Sequence, residues 1–600
     1  MTKRSLSPAH LPPAKRVHTS GKTKHHPGNV LSFENSLYDE LILCIFSHLT
    51  WVDLCVTQST SKNWARLAAD NELWREQYLK VYGRTRLRGA RGFIGRLDGR
   101  DVKPLPGRAV VDPNQNRDWK WMFRISSNWR NGRCLVEKSS TNVSEHPNDP
   151  PKIYPEGTHE QTHIILAGTM IIFASSEPTS HPSVILSSQT TSRYVIPYYD
   201  QQDSHRLPVC ITALALDQSP PTTGHLSLAC FVSTGEFTVF DFNPSSPSHT
   251  VSKKFVYQPA RRTARTMNIM QAAYYHPLLV TVSTIFSLSI YDLSSGVVRH
   301  TQTLSTFTSY PPVSLVLSSP SPGNFKLVIT YSVPVYPRHW SVGATELIIS
   351  NHSETASASG RTTPTVFSSP SFREDYKYPL TSTMSVITSR TIRAFDMPSS
   401  WVNDSTLRAM REQWGRKLLN VADAQTDGKW VVLAPGTSVY PIYGHQRIPS
   451  FHSSLDSSSS ASSASALHSP TSLQLYRLVL PIQSNSIAAS PPKLNFVRTL
   501  HGQTSPVSSL ALSDGRCVSL GQNGSIWVWD LEAGTGAEVA GADEAAAQLM
   551  LPLTKGTVSF DDRRIVTAHK GKLVIRRHET SGHLYDIYLG CTCFSCILMY

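Results

Sequence analysis

Cys591, Cys593 and Cys596 bring three soft thiols near enough to share one metal ion. A structural zinc site needs a fourth ligand, and none stands nearby, so the run reads as a frayed or alternative terminus rather than a metal centre. The chain has 23 histidines, of which His25 and His26 adjoin in the N-terminal stretch while the others are dispersed. Between 83 and 103, Arg84, Arg86, Arg88, Arg91, Arg96 and Arg100 lie among glycines. RNA-binding chemistry there would want interleaved aromatic rings for stacking, and only Phe93 is present, so a hydrated linker is the first reading and an RNA or phosphate contact the second. No Gly-x-x-x-x-Gly-Lys-Ser/Thr loop, Gly-x-Ser-x-Gly elbow or His-Glu-x-x-His pair occurs. Cys44 and Cys55 fall on helical segments, where a small buried apolar role is the default. No catalytic residue, metal or cofactor is expected. Binding, not catalysis, is the chemistry these residues suit.

The elements that could present a binding surface follow from composition. Across 600 residues, 40% are apolar, 17% are charged and 40 are proline. That mix suits a β-rich chain with polar loops and excludes a coiled coil, a collagen or a wholly disordered protein. No long apolar run or secretory h-region appears, so neither a membrane span nor export is expected. The nine cysteines, scattered through the chain, read as reduced thiols of a cytosolic or nuclear protein. Of the net charge of +14, most lies early: residues 1–133 hold 23 Lys+Arg against 11 Asp+Glu, leaving 34 against 32 for the remainder. A nearly neutral body argues against nucleic acid as its ligand.

Residues 1–30 have almost no large apolar side chain and read as a disordered basic tail. Lys3-Arg4 and Lys15-Arg16 loosely resemble a two-part nuclear import signal, although a solvated tail explains them equally. Residues 31–80 differ sharply. Leu37, Leu41, Ile45 and Leu49 recur every four residues, with Ile42 and Phe46 beside them, as one helical stripe. Ser36 before Asp39 and Thr50 before Asp53 fit helix-capping patterns. Further helices carry Trp64 and Leu67, then Leu73, Trp74 and Tyr78. Four short helices bury little surface, so such a unit leans on a partner.

The run Leu37–Leu49, then Asp53-Leu54, Lys62-Asn63-Trp64 and Leu73-Trp74-Arg75, resembles an F-box in order and spacing. Tyr38 stands where that family usually has proline, and Thr60-Ser61 replaces Val-Cys; losing proline weakens preorganisation of the first turn without abolishing it. The resemblance implies docking to the Skp-type adaptor of cullin–RING ubiquitin ligases through Leu37, Leu41, Ile42, Ile45, Phe46, Leu49, Leu54, Trp64 and Trp74, some of which must also form the module's core. Residues 81–133 then hold the Arg/Gly linker and a Trp-rich stretch, Trp119, Trp121 and Trp129. The stretch resembles the hinge leading into the propeller of F-box/WD-repeat proteins, with tryptophans packed between the two domains.

From 134 to 590 the chain repeats weakly. Segments 229–241, 279–292, 384–396, 517–530 and 565–577 share one grammar of apolar strand, polar turn and alternating strand, and 164–173, 327–349 and 430–443 are looser copies. Repeated four-stranded units that cannot cover their own faces close into a propeller, here of seven or eight blades. His501-Gly502, Ser513-Asp514-Gly515, Ser519 and Trp527–Asp530 resemble one WD repeat across its length, with His-Gly for Gly-His and Asn523 for the turn aspartate. Ser519 and Trp527 are expected to complete part of that family's buried polar network. Ser/Thr-rich insertions near 351–372 and 452–470 read as disordered loops, and 591–600 as the Cys-rich terminus.

The expected fold class is a small all-α F-box module followed by a degenerate all-β propeller of WD-repeat type. The resemblance implies the substrate-recognition subunit of an SCF-type ubiquitin ligase, whose partners are the Skp-type adaptor, a cullin and a target protein. Targets of such receptors are often phosphorylated, which makes Arg261, Arg262, Arg265 and Arg390 candidates for reading one. The alternatives are a scaffold that binds the adaptor without building a ligase, and an RNA-associated protein using the Arg/Gly linker.

Overall fold

A computed structural model describes residues 37–83, 119–140 except 132, and 161–578 apart from 189–192, 200–206, 221–224, 244–250, 260–267, 307, 336–338, 353–382, 396–402, 437–468, 481–491, 533, 543–554, 562 and 570–571. The basic tail, the Arg/Gly run beyond Gly83, nearly all of both Ser/Thr insertions, the C-terminal cysteines and Arg261, Arg262 and Arg265 therefore lie outside the described residues. The chain divides into two compact units, 1–77 and 78–600.

In the first unit, α1 (Asp39–Ser47), α2 (Trp51–Thr57), α3 (Lys62–Ala68) and α4 (Asn71–Tyr78) follow one another on very short links. Thr50 caps α2 in the expected manner: its hydroxyl accepts from the Asp53 N–H, and the Asp53 carboxylate accepts from the Thr50 N–H. Ser61 does the same for α3 with the Trp64 N–H, at 3.1 Å. The expected Ser36 cap lies outside the described residues. Instead α1 starts after Tyr38, which offers no side-chain cap, and Asp39 and Glu40 favour the positive end of the helix dipole. Two polar side chains tie the links: Trp74 Nε1 donates to the Ala68 carbonyl at 2.8 Å and Gln77 Nε2 to that of Leu49 at 2.8 Å. Cys44 is exposed and Cys55 half-buried, so neither takes the buried role expected of it.

The second unit is a propeller of seven four-stranded antiparallel sheets. Blades 1 to 6 span 162–197, 211–257, 269–305, 310–393, 421–500 and 507–540. Blade 7 takes three strands from 557–577 and its outermost from Leu135–Ser140, with Leu135 paired to Arg577. Each apolar cluster of the propeller straddles two neighbouring blades, and the series runs round the ring to close between blades 7 and 1. That is why a single blade cannot stand alone. Four of the five repeats read from sequence are the middle hairpins of blades 2, 3, 6 and 7. The fifth is not: 384–396 contains one continuous strand, Thr383–Arg393, at the outer edge of blade 4. An edge strand is covered on one side only, so its polar residues mimic a turn.

A fifth helix, α5 (Trp119–Arg130), fastens the closure. Trp129 packs against Phe560 and His578 of blade 7, at 5.9 and 4.9 Å between ring centroids. Asn128 Nδ2 donates to the His578 carbonyl at 2.7 Å, and His578 Nδ1 bonds the Arg133 carbonyl at 2.9 Å. Trp129 is thus part of the propeller.

Candidate functional site

The helical stripe of the first unit divides in two. Ile42, Phe46, Leu54 and Trp74 are buried, with Leu67, Ala68 and Leu73, and they form the module's own core. Phe46 meets Trp64 edge to face at 5.6 Å. Leu37, Leu49 and Trp64 are half-buried. Only Leu41 and Ile45 of the nine candidates are exposed, at 50% and 43%. Tyr38 joins them at 76% exposure, one turn before Leu41, and Val56 on α2 is exposed at 43%. Tyr38, Leu41 and Ile45 fall at i, i+3 and i+7, which is one helix face. Sequence reading missed Tyr38 and Val56 as surface residues, although the i, i+3, i+7 spacing was there to be read. The arrangement is an apolar row on a helix whose opposite face is already committed to a core. Beside it, Arg66 and Asp39 pair at 2.6 Å across α1 and α3, both well exposed.

In the propeller, the polar relay of blade 6 differs from expectation in two members. Trp529, not Trp527, donates its indole N–H to Ser519 Oγ at 2.9 Å, and Ser519 donates to Gln503 Oε1 at 2.5 Å. Trp527 instead stacks on Trp529 at 5.4 Å. Gln503 is the acceptor of this relay, while His501 is exposed. Strand alternation puts both indoles on the same face as Ser519, and burial separates them: Trp529 is fully buried there while Trp527 is half-buried. Asn523 holds the turn, accepting from Ser505 Oγ at 2.7 Å and the Ser525 N–H at 3.0 Å. The neighbouring Asp514-Gly515 turn has φ of 50° and 70°, the left-handed geometry that a two-residue hairpin demands.

Arg390, the one described arginine of the four candidates, lies on the outer strand of blade 4. Its Nη1 is 3.7 Å from the carboxylate of Glu346, which Lys326 Nζ also approaches at 3.2 Å. Glu346 is buried, so this cation is committed to an internal carboxylate. Among the described residues, no group of three His, Cys, Asp or Glu could hold a metal ion. Nor is any described helix long and apolar enough to cross a membrane.

Buried ionisable groups stitch the blades together. Burial raises the carboxyls of Asp423 and Asp427, although hydrogen bonds to each oppose it. Asp423 accepts from the Leu510 N–H at 2.7 Å and Asp427 from the Gly515 N–H at 2.8 Å, both across the seam from blade 5 to blade 6. Arg564 of blade 7 pairs with Asp561 at 2.8 Å and donates to the carbonyls of Gly168, Thr169 and Met170 in blade 1. Every strongly buried charge in these stitches has a backbone partner, and that makes them structural.

Residues 36–80 match the F-box-like family. Residues 186–551, more than half of the chain, match the family described as F-box protein pof12 beta-propeller. A curated relative, the probable E3 ubiquitin ligase complex SCF subunit sconB of Arthroderma otae, is 28% identical over 124 residues; the match covers 18% of this chain and 18% of that protein. Among solved structures, the WD40 propeller of Doa1 is similar at 11% identity and a TM-score of 0.32, over 71% of this chain and 96% of that one. The Cps50 (Swd1) propeller of Myceliophteria thermophila is similar at 9% and 0.33, over 69% and 98%. With an F-box-like match at its helical module and a family match across most of its propeller, the chain belongs to the F-box proteins of the pof12 β-propeller family.

Proposed function

We propose that this protein is the substrate-recognition subunit of an SCF-type ubiquitin ligase, working in the cytosol or nucleus. The observation that carries the reading is the exposed row of Tyr38, Leu41 and Ile45 on a module whose core is already filled. Large apolar side chains gathered on one surface mark an interaction site, and covering each contributes about 1.5–3 kcal/mol. The Skp-type adaptor would cover that row and connect it to a cullin. The propeller would hold a target protein. Its work is proximity: a target lysine is kept at high local concentration near a ubiquitin thioester on another subunit, so no reacting atom touches this chain.

Leu41→Asp/Ile45→Asp tests the reading without emptying the core, as Phe46→Ala would. The unaltered chain should co-purify from cells with both adaptor and cullin. The double variant should lose both while its propeller melts unchanged. Recovery of the adaptor without cullin would support a scaffold instead, and undiminished recovery by the variant would remove the docking row from the argument.

A further inference from the structure

Between the outer strand of blade 4, ending at Arg393, and the inner strand of blade 5, beginning at Val421, the chain builds a sixth helix, α6 (Asp404–Gly415). It is well started: the Asn403 side chain accepts from the Thr406 N–H at 2.9 Å. Its exit is fixed to both blades. Trp340 and Leu418 exchange backbone bonds at 2.7 and 2.8 Å, Gln474 Nε2 donates to the Arg416 carbonyl at 2.8 Å, and the Arg416 guanidinium lies over Phe496 at 4.2 Å. Yet no residue of α6 is buried. A helix of three turns is marginal in water unless an apolar face is covered.

That face exists. Leu407, Met410 and Trp414 recur at i, i+3 and i+7, and Leu407 is 41% exposed. Trp414 is half-covered by Phe395, at 5.4 Å, and by Lys417, whose Nζ lies 3.9 Å from the indole. On the same rim of blade 4, Tyr310 and Trp340 meet edge to face at 5.5 Å, and Leu419 is 53% exposed. The charges are unbalanced. Residues 403–417 carry Arg408, Arg411, Arg416 and Lys417 against Asp404 and Glu412, and Glu412 is taken by Arg416. Arg408 and Arg411 form no ion pair with a described residue. The two long insertions of blades 4 and 5 bring no excess acid to meet them: 353–382 holds three acidic and three basic residues, and 437–468 one of each.

We propose that α6 and the adjoining rim of blade 4 dock a carboxylate-rich segment of a partner protein, anchored by one or two large apolar side chains against Leu407 and Trp414. Arg408 and Arg411 are spread along an open helix surface, with no converging backbone N–H groups, so they match a row of carboxylates better than a single phosphate. The proposal rests on the receptor reading in that the segment would belong to the target.

A random-peptide display library, panned on the full-length chain, tests it. Enriched peptides should combine Asp or Glu with Leu, Phe or Trp. The best of them should bind about tenfold more weakly to Arg408→Glu/Arg411→Glu, and less tightly as salt rises. The double variant should select basic peptides instead, and Trp414→Ala should lose the apolar anchor from the enriched set. An enriched set without acidic bias, or one unchanged by the charge reversal, overturns the proposal. So does self-association of the chain that the reversal abolishes, which would make a second copy the occupant. Adaptor recovery, read on the same preparations, separates the two ideas: its loss with peptide selection intact defeats the ligase reading alone.

Discussion

Blades 4 and 6 flank blade 5 and are assembled by different chemistry. Blade 6 relies on specific polar partners: the Trp529–Ser519–Gln503 relay inside it and two buried aspartates across its seam. Blade 4 is joined to blade 5 mainly by apolar packing, through Val316, Val328, Val342, Val431 and Leu433, with Ser314 Oγ as a neutral stitch that donates to Gln425 Oε1 at 3.1 Å and accepts from the Thr426 N–H at 3.2 Å. Apolar packing asks only for volume and pattern, whereas a buried relay asks for particular atoms. Blade 4 can therefore carry a 12-residue helix in its exit loop and long strands, while blade 6 keeps a compact repeat.

The sharpest break in this comparison is Trp529→Ala, which empties a fully buried ring site and leaves Ser519 without its donor. We expect a loss of about 4 kcal/mol, read as a lowered urea midpoint. An unchanged midpoint would mean the relay is ornamental.

Acid should separate the seams. Burial raises Asp423 and Asp427 above 3.8, so the folded state takes up protons there before the unfolded chain does, and their contribution to stability grows as pH falls through the folded values. His163 and His578 run the other way: burial lowers both to about 4 from 6.5. The unfolded chain protonates first, so each costs up to about 3 kcal/mol as pH drops from 6.5 to 4. His578→Asn should flatten the acid limb of a stability-against-pH curve, while Asp427→Asn, by removing an opposing contribution, should steepen it. The same slope in all three chains would show that other groups govern acid unfolding.

Smallest is Glu346→Gln in blade 4. The carboxylate is buried, but side-chain exposures of 18% for Lys326 and 33% for Arg390 let water screen the loss. About 1 kcal/mol is expected in thermal melts. A much larger cost would make blade 4 as dependent on its charges as blade 6 is on its relay.

The same contrast explains what could be read from sequence. Blade 6 was legible because Ser519, Trp529 and Asp530 are residue types that few other contexts require. Blade 4 was misread at 384–396, where a half-covered edge strand carries Thr388, Ser389 and Arg390 with no turn to justify them. The period of the helical stripe identified α1 but not which side of it faces inward; that depends on where α3 and α4 pack. Gln503 was hidden because a glutamine in a loop carries no sequence pattern that marks it as the acceptor of a buried relay. α6 was missed although Leu407, Met410 and Trp414 recur at i, i+3 and i+7, because three apolar positions among polar and charged neighbours make too narrow a stripe to set a short helix apart from a loop.

The outer strand of blade 7 waits for its partner. During synthesis Leu135–Ser140 leaves the ribosome long before Lys572–Arg577, yet the two must pair, with Arg577 gripping Glu137 at 2.9 and 3.1 Å across 440 residues of chain. Six blades can assemble in order while that strand stays unpaired, a temporary edge open to neighbouring chains. Closing so long a loop costs little more than closing a short one, because the entropy grows only with the logarithm of length. The delay is thus one of order rather than of energy, and the nascent protein is most exposed to mispairing until the last turn of the ring has been translated.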